Sequence, residues 1–186
     1  MALRDNGMEF RRATANDYAA VYDLQNRNLR TRLTASERSD GFLSAAFRIE
    51  DYEALNEDLC VLVCVEEKRV LGFLVASTIK FNQKFALSTA MVARYPQAIY
   101  DGRALDSYQS CVAGPVCVER EQRGRGIFPG MYHRLFELLP PEYDLAVVLI
   151  AKDNPRSFNA HTKIGFQQVE QFQFNARTFD ILAIKV

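Results

Sequence analysis

The sequence predicts an α/β (α+β) fold, a mixed and mostly antiparallel sheet of six or seven strands with helices on both faces, in one domain spanning 1–186. Three observations predict it. Residues 59–66 and 69–78 are near-continuously apolar runs around a tight polar turn, the pattern of a hairpin covered on both sides. A short β-branched run ends at Val118, five polar residues follow, and Ile127, Met131, Leu135 and Leu138 then recur at helical spacing, so 116–136 reads as strand, turn and helix. With 48% hydrophobic residues in 186, the chain supplies one substantial core but not two domains and a linker.

The elements follow in order. Residues 8–13 form a first strand, and Thr14-Ala15-Asn16-Asp17 caps a helix with Tyr18, Val21 and Tyr22 on one face. The arginine-rich stretch 25–39 continues as helix toward the Asp40-Gly41 turn, and Arg27, Arg30, Arg32 and Arg38 read as a solvated face, with substrate binding as the alternative. Residues 42–47 are apolar, and 49–58 make a short helix with Ile49, Tyr52 and Leu55 turned inward. The segment 79–108 holds Phe81, Phe85, Tyr95, Tyr100 and Tyr108 and is too long for a plain connection; it contains a helix near 85–94 or forms a working loop. Gly114-Pro115 interrupts the strand 109–118, and because proline cannot donate to a ladder it marks a bulge or a parting of neighbours. Pro140-Pro141 stops the helix, 145–151 is a buried strand, and Phe172, Phe174, Phe179, Ile181 and Ile184 pattern a closing hairpin turned near Asn175-Ala176.

Charge narrows the function classes. Lys and Arg number 23, as do Asp and Glu, so no overall field draws the chain to nucleic acid or an anionic membrane. The first seven residues carry charges where a signal peptide needs an apolar core, and the longest apolar run, 145–151, is too short to span a bilayer, so a cytoplasmic protein is expected. Cys60, Cys64, Cys111 and Cys117 fall in strand-like runs rather than at metal-ligand spacing, and only two histidines accompany them. Buried reduced thiols are expected, with no metal and no disulfide.

The turn at 123–128 favours an anion. Gly124 and Gly126 let the backbone approach a ligand, the first helical N–H groups converge with the positive end of the helix dipole behind them, and Arg123 and Arg125 add charge. Neither a nucleotide P-loop nor a dinucleotide fingerprint fits the spacing: no Gly-Lys-Ser/Thr is present, and Gly130 falls four residues after Gly126 rather than three. Arg123-Gly124-Arg125-Gly126-Ile127-Phe128 does resemble the turn of the GNAT superfamily of N-acetyltransferases, Arg or Gln, any two, Gly, any one, then Gly or Ala. The last place differs, Phe128 standing where a small residue is usual. Residues 154–166, Asn-Pro-Arg-Ser-Phe-Asn-Ala-His-Thr-Lys-Ile-Gly-Phe, are similar to that family's second coenzyme-contacting segment, and Val70-Leu71-Gly72-Phe73-Leu74 resembles its central strand.

The resemblance implies acetyl-CoA as acyl donor, with no metal, and a small-molecule or amino-acid-like primary amine as acceptor, attacking the thioester directly; it leaves room for a homodimer. Coenzyme contacts carry over to Val116, Cys117, Val118, Arg123, Gly124, Arg125, Gly126, Ile127, Phe128, Asn154, Ser157, His161 and Lys163. The strand at Val118 is expected to splay from its neighbour so that the pantetheine arm inserts, with the Val118 N–H polarising the thioester carbonyl. His161 stands where the family often has a proton-donating Tyr. No carboxylate lies on the strand ending at Val118, so deprotonation falls to water, to Tyr108 or to a group from the first half. The segment 79–108 would bound the acceptor pocket, leaving two readings of its aromatics open: a lid, or a satellite cluster packed on the sheet. Phe128 and the missing carboxylate support an alternative, a catalytically silent domain that binds and senses acyl-CoA.

Overall fold

The computed structural model describes residues 3–5 and 7–186. A short edge strand β1 (Leu3–Asp5) pairs with β2 (Met8–Arg12), and a Thr14–Asp17 cap leads into α1 (Tyr18–Arg27). Then come α2 (Ala35–Arg38), α3 (Asp51–Asp58), the hairpin β3 (Cys60–Glu66) and β4 (Arg69–Thr78), α4 (Ile79–Asn82) and α5 (Ala86–Val92). A miniature hairpin β5 (Ile99–Tyr100) and β6 (Arg103–Ala104) precedes β7 (Ser110–Val118), α6 (Ile127–Leu138), β8 (Leu145–Ala151), α7 (Pro155–Lys163), β9 (Gln167–Phe174) and β10 (Arg177–Lys185).

The main sheet runs β1-β2-β3-β4-β7-β8-β10-β9, seven principal strands plus the short edge strand, and only β7 and β8 pair in parallel. Alternation along each strand feeds both faces. Cys60, Leu62 and Cys64 of β3 pack with Ile127, Met131 and Leu135 of α6, whereas Val61, Val63 and Val65 pack with Val21 and Leu24 of α1 and Tyr52 and Leu55 of α3. A third cluster sets Met91, Tyr95, Tyr100 and Leu105 against Leu145, Val147, Ile181 and Ala183 of β8 and β10. All four cysteines are buried and unbridged, and burial pushes Cys111 and Cys117 up to about 12, so neither thiol is a ready nucleophile at neutral pH.

Several local expectations are corrected. Helix α1 ends at Arg27, where the Asn28 side chain donates to the Leu24 carbonyl, and the chain turns away to bridge Leu29 with Leu43. Arg27, Arg30 and Arg38 keep some exposure but are not free in solvent: Arg27 pairs with Glu119, Arg30 pairs with Asp153, and Arg38 donates to the Arg30 carbonyl. Ile49 lies before the helix and is 39% exposed. The 79–108 aromatics divide, with Tyr95 and Tyr100 buried in the satellite cluster while Phe81 and Phe85 pack toward Phe47 on the other side. Among the described residues no helix is long and apolar enough to cross a membrane.

Candidate functional site

The site begins where β7 loses its neighbour. Its parallel pairing with β8 stops at Val112 and Val147, while β8 stays fully paired with β10 on its far side, so a wedge opens between 113–118 and 148–151. On the other side β7 keeps pairing with β4 through Gly72 and Val118, with a register shift opposite Gly114-Pro115, where the ladder lacks a donor. The Glu119 N–H bonds to the Leu71 carbonyl. Ladder groups alternate, so the main-chain groups of Val116 and Val118 turn toward the wedge and those of Cys117 toward β4.

The turn that follows is shaped by two glycines. Gly124 and Gly126 adopt φ of +84° and +81°, Gly126 caps α6, and a Cβ at either would meet nothing within 4 Å, so open space lies above both. Among the described residues no hydrogen bond engages the N–H groups of Gly124, Arg125, Gly126, Ile127 or Phe128. Unpaired amides at a helix start bind anions.

Around them lies a groove of about 620 Å³ lined by Arg123, Arg156 and Lys163. Arg123 donates to the Val118 carbonyl at 3.2 Å and the Asp40 carbonyl at 2.9 Å, and Asp40 itself pairs with Arg120 and Arg156. Burial, and after it the nearby charge of Arg156, pull the Arg123 guanidinium below its ordinary pKa, with Asp40 opposing the shift. Arg156 was not among the sequence candidates, although a basic residue in the first turn after an Asn cap was there to be read.

A second cavity, about 470 Å³, opens through the wedge on the opposite face, and Phe42, Leu43, Val116, Asn154 and Ser157 line both. The loop 42–47 roofs this junction. Buried Gln25 holds Phe47 through both its backbone groups, at 2.8 and 2.9 Å, and Asn154 donates to the Phe42 carbonyl at 2.8 Å while accepting from Ser157 N–H as cap of α7. Nothing in sequence spacing signals the Gln25 clamp, because its partner lies 22 residues away.

The predicted site residues gather unequally. Val116, Cys117, Val118, Arg123, Gly124, Gly126, Ile127, Phe128, Asn154, Ser157 and Lys163 all line the groove. The Phe128 ring is half-buried, its centroid 5.2 Å from Tyr132 and 5.0 Å from His161, so it packs between α6 and α7 and leaves the amide cradle open. The Arg125 side chain is a correction: it reaches away to Glu66 on the β3–β4 hairpin at 2.7 Å. Tyr108 is another. It lies at the opposite end of β7, its hydroxyl donates to the Tyr100 carbonyl, and Arg103 covers its ring, so it borders neither cavity.

His161 is the third correction. It lines the second cavity but is 2% exposed, with Nδ1 2.7 Å from the Ser157 carbonyl and Nε2 2.8 Å from the Tyr132 hydroxyl. A carbonyl only accepts, so Nδ1 carries the proton and Nε2 receives the phenol's. Burial lowers its pKa to about 4. At neutral pH the ring is uncharged with both nitrogens engaged, and it has no proton ready for a leaving group.

No protein-family model matches the sequence, and no curated protein matches it. Solved structures do. An N-acetyltransferase from Staphylococcus aureus Mu50 is 17% identical with a TM-score of 0.61, covering 96% of this chain and 98% of its own. The candidate acetyltransferase yncA from Salmonella typhimurium, solved with its cofactor acetyl-CoA, is 18% identical with a TM-score of 0.62 over 97% of this chain and 94% of its own. A GNAT-family acetyltransferase from Streptococcus pneumoniae scores 0.63 at 11% identity, over 96% and 99%. The chain therefore shares the fold of these GNAT acetyltransferases over nearly its whole described length.

Proposed function

We propose that this protein is an acetyl-CoA-dependent N-acetyltransferase that acylates the primary amine of a small or amino-acid-like molecule by direct attack. One observation carries the reading: five unpaired amides at 124–128, beside a cationic groove, lead through the unpaired face of β7 into a separate apolar cavity. The residues fit the coenzyme, since the positive-φ glycines leave the space above the cradle clear and Arg123, Arg156 and Lys163 supply charge for phosphates. Acetyl-CoA supplies the activated acyl group.

The chain's own part is placement and charge stabilisation. Main-chain groups of Val116, which face the wedge, hold an extended arm as an added strand would, and the N–H of Val118, the carbonyl of which is taken by Arg123, donates to the developing oxyanion. The neutral amine enters from the second cavity. As the C–N bond forms and the C–S bond breaks, the nitrogen holds one proton too many and the sulfur one too few, so the transfer balances without an external acid. Ser157, in the wall common to both cavities, is placed to relay that proton.

A second reading, acyl-CoA sensing without turnover, draws on the withdrawal of His161 and Tyr108 from the reacting position. Thiol release from acetyl-CoA with a panel of amines, run beside coenzyme A calorimetry, separates the two. Transfer predicts amine-dependent thiol release; sensing predicts binding heat alone. Absence of heat overturns both.

A further inference from the structure

The cavity on the acceptor side has an unusual charge inventory. Its walls are mostly apolar, with Phe47, Phe85, Leu87, Val148, Ile150 and Phe179 among them beside neutral polar groups such as Asn82 and Ser157, and no described Asp or Glu lines it. Among the described residues, Lys84 is its only lining residue charged at neutral pH, His161 being held neutral by burial. The Lys84 ammonium sits 3.4 Å from the centre of the Phe81 ring and 5.3 Å from that of Phe85, and no described carboxylate pairs with it. The nearby Asp51 bonds to the Arg48 N–H and guanidinium, and despite burial its carboxyl is held low by those bonds and, less strongly, by the Lys84 charge, which it does not contact. Lys84 is exposed, whereas Ala113, Val148 and Ile150 at the wedge are buried, so the cavity runs from a buried inner end to a cationic mouth.

We infer that the acceptor is an apolar amine bearing a carboxylate at its far end, with the amine at the wedge and the anion held by Lys84 at the mouth. This rests on the proposed acetyl transfer and narrows its substrate class. An ammonium entering a cavity with no counter-ion is disfavoured by desolvation and by Lys84, so the amine arrives as the free base without a dedicated carboxylate to deprotonate it. A polycation has nowhere to place its second charge. A carboxylate at the mouth instead meets an ammonium that aromatic faces have already positioned.

The test uses two probes of nearly equal shape, the N-acetylated forms of 4-(aminomethyl)benzoate and 4-(aminomethyl)benzamide, titrated by calorimetry without coenzyme. The acid should bind about fivefold more tightly, the value of one partly exposed charge pair. Lys84→Gln should bring the two level, and Lys84→Arg should keep the preference; matched thermal midpoints show that both variants are folded. Equal binding in the parent protein, or a preference that survives Lys84→Gln, would overturn the inference, as would spermidine outperforming 4-(aminomethyl)benzoate as an acceptor. Coenzyme A is titrated separately, so a failure of acetyl-CoA recognition is seen apart from a failure of carboxylate selection.

Discussion

The Tyr132 hydroxyl lies 2.8 Å from Nε2 of His161 and 3.1 Å from the Ala113 carbonyl, so one buried phenol on α6 joins α7 to the strand that borders the wedge. The phenol has one proton to give, and with Nδ1 protonated it goes to Nε2, so removing the hydroxyl leaves that buried nitrogen without a donor. Tyr132→Phe should therefore cost about 1–3 kcal/mol in urea unfolding. The Tyr132→Phe/His161→Phe double variant should lose less than the sum of the singles, because the two share one bond. Strict additivity would show that the pair is not coupled.

The same environment sets an acid limb of stability. His161 has its pKa lowered from 6.5 to about 4, so the unfolded chain binds its proton first. Its contribution is complete above pH 6.5 and is lost as pH falls from 6.5 toward 4, on the order of 3 kcal/mol across the window. Unfolding free energies measured every half pH unit should slope there, and His161→Gln should flatten that slope.

Glu119 acts at lower pH. The bidentate hydrogen bond from Arg27, at 2.8 and 3.0 Å, holds its carboxyl below the ordinary 4.5 despite burial. Stability from this pair is full above pH 4.5 and declines as pH falls through the lowered value. Arg27→Met should destabilise the protein at pH 7 by about 1–2 kcal/mol, less than for a fully buried pair because Arg27 is largely exposed and Arg69 and Arg123 still face Glu119, and Glu119→Gln in the same background should recover part of it.

Gly72 fixes how closely the strands and α6 approach. A Cβ there would lie 2.9 Å from the Cys117 carbonyl oxygen and 3.2 Å from Ile127. Gly72→Ala should cost about 1–3 kcal/mol by overpacking. It should also weaken coenzyme binding, since the backbone it displaces carries Val118. Unchanged stability would mean that the two strands can part at little cost.

Gly126→Ala probes the cradle itself. The φ of +81° makes any side chain cost about 1–2 kcal/mol, but the site is open, so the fold should survive. Coenzyme A affinity should fall at least about tenfold, because the new Cβ occupies the space above the amides. Unaltered affinity would place the diphosphate elsewhere.

Much of this was legible in the sequence because it is written locally. The β3–β4 hairpin, the glycine turn before α6 and the Asn154 cap of α7 each depend on residues a few positions apart, where periodicity and backbone preference act directly. What could not be read was contact across distance. Arg125 was expected at the anion site on proximity in sequence, but Glu66, 59 residues earlier, draws it away, while Arg156 takes its place. Tyr108 is only a few residues from the wedge along the chain, yet an extended strand carries those residues far apart in space.

The sequence by itself determined the elements, the anion-seeking turn and the break in pairing at Gly114-Pro115, because each follows from the conformational limits of the residues on the spot. Only the tertiary structure decided which side chains stand free. Burial left His161 neutral and fully bonded, and ion pairing removed Arg27 and Arg125 from service, while the Gln25 and Asn154 clamps drew the 42–47 loop over the wedge. The reason is physical: a residue's availability depends on its partners and its access to water, and both are set by segments that the chain brings together only when it folds.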